Sequence, residues 1–427
     1  MNRDVSVFEC KNVDDVRNSI QKALQDRVDL LPISRDSLIL LKPNLNSDMN
    51  ALTGNTTDLR VIVSVVSFLK RKGYRNIVIG DGTSSGFYRN SMNVISRLKL
   101  DKIAKKFEVR TLDLNHAPYK EVDFGGEFKA KVAEICFDCD FFINLPKLKM
   151  HFEAQISACL KNLIGCVRGL DKQKVHDDLI KNILRLNAKI RPDLHIVDGL
   201  IAMEGTGPSA GTPTYLGSIV VGLDPYLVDM ICAKLVGLKY YDVPCLKLAE
   251  QMGIITDEHV QRANAVQTHL KKELLRPEKS WLVALAYHPK LRKYFTSIRL
   301  SPLFDPIFSA DLASKIFLSL GLRQDVFTEE EDKIKEIYVD QEICDRCMIC
   351  GDFCPMNLNL PDMIGFEEHD CVQCLYCFFT CPKKAIKVKG NLGFISEQIR
   401  KYDKITRKMV KSVYRENHFA KRANQQN

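Results

Sequence analysis

No apolar run in this 427-residue chain approaches the roughly 18 residues that cross a bilayer. Its opening MNRDVSVFEC reads as a strand and not as a signal peptide. A soluble, cytoplasmic protein is therefore expected. The net charge is +9, but basic residues are not interleaved with aromatics as on a nucleic-acid surface, so nucleic acid is not an expected partner. The glycine-rich stretch Gly80–Gly86 has no Walker lysine after it, and its G-x-G-x-x-x-G spacing misses the dinucleotide pattern by one residue. A disulfide framework is also missing. Cys10, Cys136, Cys139, Cys159, Cys166, Cys232 and Cys245 are an odd set scattered through apolar segments, as in a reducing compartment. Cys136-x2-Cys139 lacks a second pair and reads as buried thiols, not a metal half-site.

The remaining eight cysteines are the opposite of scattered. They fall as Cys344-x2-Cys347-x2-Cys350-x3-Cys354-Pro and Cys371-x2-Cys374-x2-Cys377-x3-Cys381-Pro. Short x2 loops can turn three thiolates onto three corners of one cubane, while the fourth cysteine lies beyond that reach and serves the other centre. One 4Fe–4S cluster is thus expected on Cys344, Cys347, Cys350 and Cys381, and a second on Cys371, Cys374, Cys377 and Cys354. Zinc wants four ligands at each centre, which two interleaved runs of this kind suit badly. Residues 338–390 resemble the bacterial two-cluster ferredoxin module. Such a module moves electrons and makes no bonds, so an electron donor or acceptor protein is an expected partner.

The first 250 residues alternate β-rich runs with helical stretches. Candidate strands are Val5–Phe8, Leu38–Leu41, Ile77–Ile79, Phe141–Leu145, Leu194–Val197 and Ile219–Val221; candidate helices include 57–71, 153–164 and 178–188. Continuous apolar strands signal burial on both faces and a parallel sheet. The expected fold class is α/β, a mostly parallel doubly wound sheet, joined to a helical connector and the two-cluster ferredoxin domain. The expected divisions are 1–254 for the core, 255–334 for the connector, 335–392 for the cluster domain and 393–427 for a basic tail. In the connector, helices are expected at 281–287 and 311–320, and its alternating apolar and basic residues suggest peripheral membrane contact. The tail carries nine Lys/Arg against three Asp/Glu from residue 395 onward, and Ile395, Ile399, Tyr402, Ile405, Met409 and Val413 form one apolar stripe. That stripe reads as a docking surface.

Ligands of open α/β sheets bind beyond the C-terminal strand ends. There the chain places Lys147-x-Lys149-x-His151, followed by Lys161-Asn162. Lysines can hold a carboxylate or phosphate, and a histidine can exchange a proton near neutrality. Lys149, His151 and Lys161 are the catalytic candidates, with a helix expected to start near Phe152. In the glycine-rich stretch, Gly80 and Gly82 can bring backbone amides to an anion, with Ser84 and Ser85 adding hydroxyls; these four are the cofactor-binding candidates. Asp198 and Glu204 are candidates to orient a base or hold a metal. Asp224, before Pro225, is expected to cap a helix. His116, His195, His259, His269 and His288 show no partner spacing and read as structural or exposed.

The segments NLPKLKMHFEAQISACLKNLIGC, VDGLIAMEGTGPSAGTP and VGLDPYLVDMICAKLVG resemble the family called domain of unknown function 362, over about residues 36–240. K-x-H and K-N recur as marks of that family, and its members often carry the same ferredoxin module. The resemblance implies no reaction, because the family is defined by sequence. A distant likeness to the N-terminal domain of nickel-dependent lactate racemase would imply an isomerase core with structural clusters, and no motif here carries it. The expected function is an iron–sulfur oxidoreductase that passes electrons to an anionic substrate or cofactor in the α/β cleft. The alternative is a non-catalytic electron-transfer or redox-sensing protein that docks a partner.

Overall fold

The computed structural model describes residues 4–277, 330–364 and 370–424. The helices expected at 281–287 and 311–320, and most of the connector, lie outside these residues.

Five strands form the parallel body of the main sheet. They are β2 (Ile39–Pro43), β3 (Ile77–Asp81), β4 (Arg110–Asp113), β7 (Phe141–Leu145) and β10 (Leu194–Glu204). Every residue of β2, β3 and β7 is buried, as a sheet covered on both faces requires. The spatial order is β10-β7-β2-β3-β4, all neighbours parallel. The sheet is completed at one side by β11 (Thr212–Gly222) and β1 (Val5–Glu9), both pairing antiparallel. A separate hairpin, β5 (Tyr119–Asp123) with β6 (Lys129–Ala133), stands outside this sheet. From β2 the chain winds outward through β3 to β4, then returns to β2's other side for β7. The switch in winding direction therefore falls between β2 and β7, where open sheets hold their ligands.

Side chains alternate across each strand and feed two cores. Ile39 and Leu41 enter one core with the helices Val13–Gln25 and Leu59–Arg71; Leu40 enters the other with Leu179–Lys189 and Pro225–Leu235. Asp58 caps Leu59–Arg71 through the Arg60 amide, and Asp224 caps Pro225–Leu235 as expected.

One expected helix is absent. Residues 153–164 do not form it: the chain bends at Pro146 and continues as β8 (Lys147–His151), turns, and returns as β9 (Gln155–Ser157). Only Cys159–Asn162 is α-helical there, followed by a 3-10 turn over Leu163–Cys166. The spacing of Ile156, Leu160, Leu163 and Val167 fits a helix, but Lys-Leu-Lys-Met-His alternates with period two. An open edge of β10 was available to pair it, with Lys147 opposite Asp198.

The cysteine-rich module continues the first core. Phe353, Leu375, Tyr376 and Phe379 belong to the same apolar cluster as Leu59 and Val61. Its two-stranded sheet pairs β12 (Lys333–Val339) with β13 (Ile386–Asn391). The tail forms the helix Ile395–Asn424. Its apolar stripe is not a free docking face, because Ile395, Tyr402, Met409 and Val413 are buried in that same core and only Ile405 is exposed. Gln398 donates to the Asp48 carbonyl at 2.8 Å, and Arg407 donates to the Cys381 carbonyl. The stripe is intramolecular packing, and a periodic pattern alone does not say which surface covers it.

Candidate functional site

At the C-terminal ends of β2, β3, β7 and β10 the fold gathers a buried polar web. Lys42, the fourth residue of β2, pairs with Asp81 at the end of β3 at 2.7 Å. Lys147, at the start of β8, pairs with Asp198 of β10 at 2.8 Å. Asp198 also accepts the Asp58 amide at 2.6 Å, and Asp58 holds Arg60 at 2.8 Å. All of these side chains are sealed from solvent. Gly165 allows the first pair to form, since a Cβ there would stand 2.1 Å from Asp81 Oδ1 and 2.7 Å from Lys42 Nζ.

Six charges thus cancel in three pairs, but the lysines of this region outnumber them. Among the described residues, Lys149, Lys161 and Lys172 make no ion pair. Lys149 Nζ donates to Asn44 Oδ1 at 3.1 Å and to the Asn55 carbonyl at 2.7 Å, both neutral acceptors. Burial drives its pKa well below the ordinary lysine range, and Lys161 and Lys147 add to the push. Lys161 is partly buried, and desolvation pulls it down to about 8 against the opposing pull of Glu153. Lys172 donates to Asn115 Oδ1 and is lowered to about 8 by burial, with Asp81 and Asp113 opposing.

His151 lies on the same face of β8 as Lys147 and Lys149. Its Nδ1 accepts the amides of Glu153 and Ala154, each at 3.1 Å, so Nε2 carries the proton of the neutral ring. Burial, then Lys161, His176 and Lys149, keep it neutral. Lys161 is thus close enough to lower both Lys149 and His151. They sit on a strand and a short helix and not at a helix N-terminus, so no helix dipole adds to the site through residues 152–154.

The four glycine and serine candidates are placed differently. Gly80 lies within β3 under Leu114 and Leu112. Gly82 is approached by the protein itself: its amide donates to the Gly165 carbonyl at 3.1 Å, and a Cβ would stand 2.7 Å from Lys172 Nζ. Ser84 precedes the short helix Ser85–Arg89, and its hydroxyl is buried without a hydrogen-bond partner among the described residues. The loop 204–213 forms a wall of the site, with Pro208 accepting from Asn55 Nδ2 at 2.7 Å. Asp198 belongs to the web, whereas the Glu204 side chain accepts, among the described residues, the Leu275 amide outside it.

Sequence reasoning missed several members. Lys149 leads into a chain of amides: Asn44 Nδ2 donates to Asn162 Oδ1 at 2.9 Å, and Asn162 Nδ2 donates to Asn144 Oδ1 at 2.7 Å. Asn144 Nδ2 in turn lies 3.1 Å from Nδ1 of His195, which is fully buried and pushed down to about 4 by desolvation. An asparagine inside an apolar strand, as in Phe-Phe-Ile-Asn-Leu, was the available signal for Asn144. Lys172 and Asn115 carried no such signal.

The cysteines converge in two sets. Cys344, Cys347, Cys350 and Cys381 line one pocket. Cys354, Cys371, Cys374 and Cys377 influence one another, with burial first and the neighbouring sulfurs next in raising the Cys374 and Cys377 thiols. The backbone repeats itself between the two runs. Arg346 and Gln373 have φ of 52° and 55°, Met348 and Leu375 both 61°, Asn357 and Lys384 55° and 58°. Six non-glycine residues thus hold left-handed conformations at matching positions, a cost that surrounding structure must offset. Among the described residues no three His, Cys, Asp or Glu side chains are grouped tightly enough to hold a single metal ion. A cubane spreads its thiolates over four irons and spaces them more widely. No helix among the described residues is long and apolar enough to cross a membrane.

The second set meets the α/β core directly. Tyr376, between Cys374 and Cys377, accepts the Leu59 amide at 3.1 Å; Asn50 Nδ2 donates to the Cys374 carbonyl at 3.2 Å. Arg60 lies 4.6 Å over the Phe353 ring, next to Cys354. A cavity of about 30 Å³, room for one water, separates Cys374 from Asp48, Arg97 and Gln398.

This is a mixed α/β protein with a mostly parallel central sheet whose C-terminal strand ends carry a buried, lysine-rich polar web. Residues 39–234 match the family described as Domain of unknown function (DUF362). The chain is 29% identical over 229 residues to the Thylakoid-associated protein sll1697 of Synechocystis sp., covering 51% of this chain and 68% of that protein. It is 34% identical over 61 residues to the Pyruvate synthase subunit PorD of Thermotoga maritima, covering 14% of this chain and 62% of PorD. Among solved structures it is similar to the lactate racemase apoprotein from Thermoanaerobacterium thermosaccharolyticum, with a TM-score of 0.37 and 11% identity, over 54% of this chain and 57% of that one. The chain thus spans less than two thirds of PorD and of the racemase, and a structural likeness of that size carries no argument about activity.

Proposed function

We propose that this protein is an iron–sulfur oxidoreductase. Two 4Fe–4S centres, on Cys344/Cys347/Cys350/Cys381 and Cys354/Cys371/Cys374/Cys377, would pass electrons toward an anionic substrate or cofactor at Lys149, His151 and Lys161. What carries the reading is the short path from cysteine to lysine. Tyr376 stands between two cysteines of the second set and takes the amide of Leu59. The adjacent Asp58 binds Asp198, and Asp198 binds Lys147, two residues from Lys149.

The residues fit the group. Four thiols surround one pocket, and backbone amides already point at sulfur, Ala385 to Cys381 at 3.2 Å and Gln373 to Cys371 at 3.4 Å. Such bonds help to set a cluster's potential. When bound, each centre supplies one electron at a time. The protein's part is to hold the anion. Lys149, Lys161 and Lys172 make no ion pair among the described residues, and an anion bound beside them would favour their charged forms. His151, neutral with its proton on Nε2, can donate a hydrogen bond to a bound anion from that N–H. The likeness over 61 residues to a pyruvate synthase subunit is consistent with a redox role.

The test is anaerobic purification with iron and sulfide analysis, followed by calorimetric titration with inorganic phosphate and with oxalate as probe anions. About eight iron and eight sulfide per chain are expected. Lys149→Ala should weaken anion binding roughly tenfold or more, from loss of a charge-assisted contact of about 1.5–3 kcal/mol. If clusters are present but neither anion binds, the partner-docking electron carrier replaces the enzyme.

A further inference from the structure

The two cysteine sets differ in the charges placed beside them, and the difference has a direction. The second set lies inward against the α/β core, with Cys374 contacted by Asn50 and Tyr376 by Leu59. The first lies outward, with Cys347 exposed. Beside the inner set, Lys102 Nζ donates to Gln373 Oε1 at 2.6 Å, and the Gln373 amide donates to Cys371 Sγ at 3.4 Å. The other cations of this contact are neutralised: Lys99 by Asp332 at 2.6 Å, Arg97 by Asp48 at 2.7 Å and Glu331 at 2.8 Å, and Lys106 by Asp370. Lys102 has an amide in place of a carboxylate. Burial and Lys99 pull its ammonium down, while Asp332, Asp101 and the Cys371 sulfur hold it up. Beside the outer set the charges of both signs are paired: Asp345, Arg346 and Lys383 line its pocket, Lys383 lies 3.8 Å from Asp345, and Arg346 lies 3.6 Å from Asp362.

We propose that Lys102 biases a two-centre relay inward by favouring an electron on the inner centre. This rests on the cluster assignment made above. Adding an electron makes a thiolate-ligated centre more negative, so a nearby cation stabilises the reduced form and a nearby anion opposes it. The step is a one-electron exchange: the outer centre is oxidised as the inner is reduced, with no bond made or broken. Burial of the inner centre works against its reduction, and Lys102 offsets that cost. Lys102 is thus a positioning residue for charge and touches no substrate.

The experiment is an anaerobic redox titration of the full chain followed by electron paramagnetic resonance, with iron and sulfide measured on the same samples. Lys102→Met should move one reduction wave to lower potential and leave the other in place. Lys102→Arg should keep the wild-type position. Waves that stay put in Lys102→Met, or that shift together, overturn the relay while leaving the clusters standing. Wild-type protein without iron and sulfide overturns the cluster assignment and the relay with it.

Discussion

The phenol oxygen of Tyr376 accepts the backbone N–H of Leu59 at 3.1 Å. Leu59 opens the helix Leu59–Arg71, so its amide is one of those a helix cannot satisfy internally. A residue between two cluster-type cysteines therefore closes the end of a core helix. The two modules share one hydrogen-bond network as well as one apolar core.

Tyr376→Phe keeps the buried ring and removes the acceptor. The Leu59 amide is then left buried without a partner, at a cost of about 1–3 kcal/mol. Anaerobic denaturant unfolding should show that loss with iron content unchanged. A variant as stable as wild type would mean the contact does not hold the modules together.

Stability should rise with pH across the window set by Lys172. Its folded pKa is lowered to about 8 from 10.5, chiefly by burial. Between those values the unfolded chain binds a proton that the folded protein has released, so unfolding becomes harder as pH increases. Below about 8 both states are protonated, the slope disappears, and the full cost of burying the charge remains. Lys161, also lowered to about 8, acts in the same direction. Lys172→Met should flatten the rise relative to wild type in denaturant midpoints measured across this range. Parallel curves would show that Lys172 is not desolvated.

Truncation after Gly393 should abolish cluster assembly. It removes Phe394, Tyr402, Met409, Val410 and Val413 from the shared core. Each buried side chain of this size stabilises by about 1.5–3 kcal/mol, and together they rival a domain's whole stability of about 5–15 kcal/mol. Loss of iron and sulfide with increased proteolysis is the expected result. A truncated protein with full cluster content would restore the docking role for the helix.

Much of this organisation is legible in the residues. The apolar run Phe141–Leu145 is a strand with the bounds expected of it, and Asp224 before Pro225 is a cap. The region around Lys147–His151 is also where the chemistry gathers. Its local form was misread, because the partner that makes it a strand, β10, lies about fifty residues away, with Asp198 51 residues from Lys147. The tail's apolar stripe was visible, but its covering surface was not.

The cysteine spacing alone set the two expected ligand groups, because a two-residue link between thiols is a local constraint that distant sequence cannot alter. The apolar runs likewise announced a buried parallel sheet, since continuous hydrophobicity in a short strand needs cover on both faces. Only the tertiary structure decided which charges cancel. Lys42 finds Asp81 and Lys147 finds Asp198, while Lys149, Lys161 and Lys172 find no carboxylate among the described residues. Pairing depends on which strand ends lie side by side, and the crossover at β2 and β7 sets that order by packing the whole sheet at once.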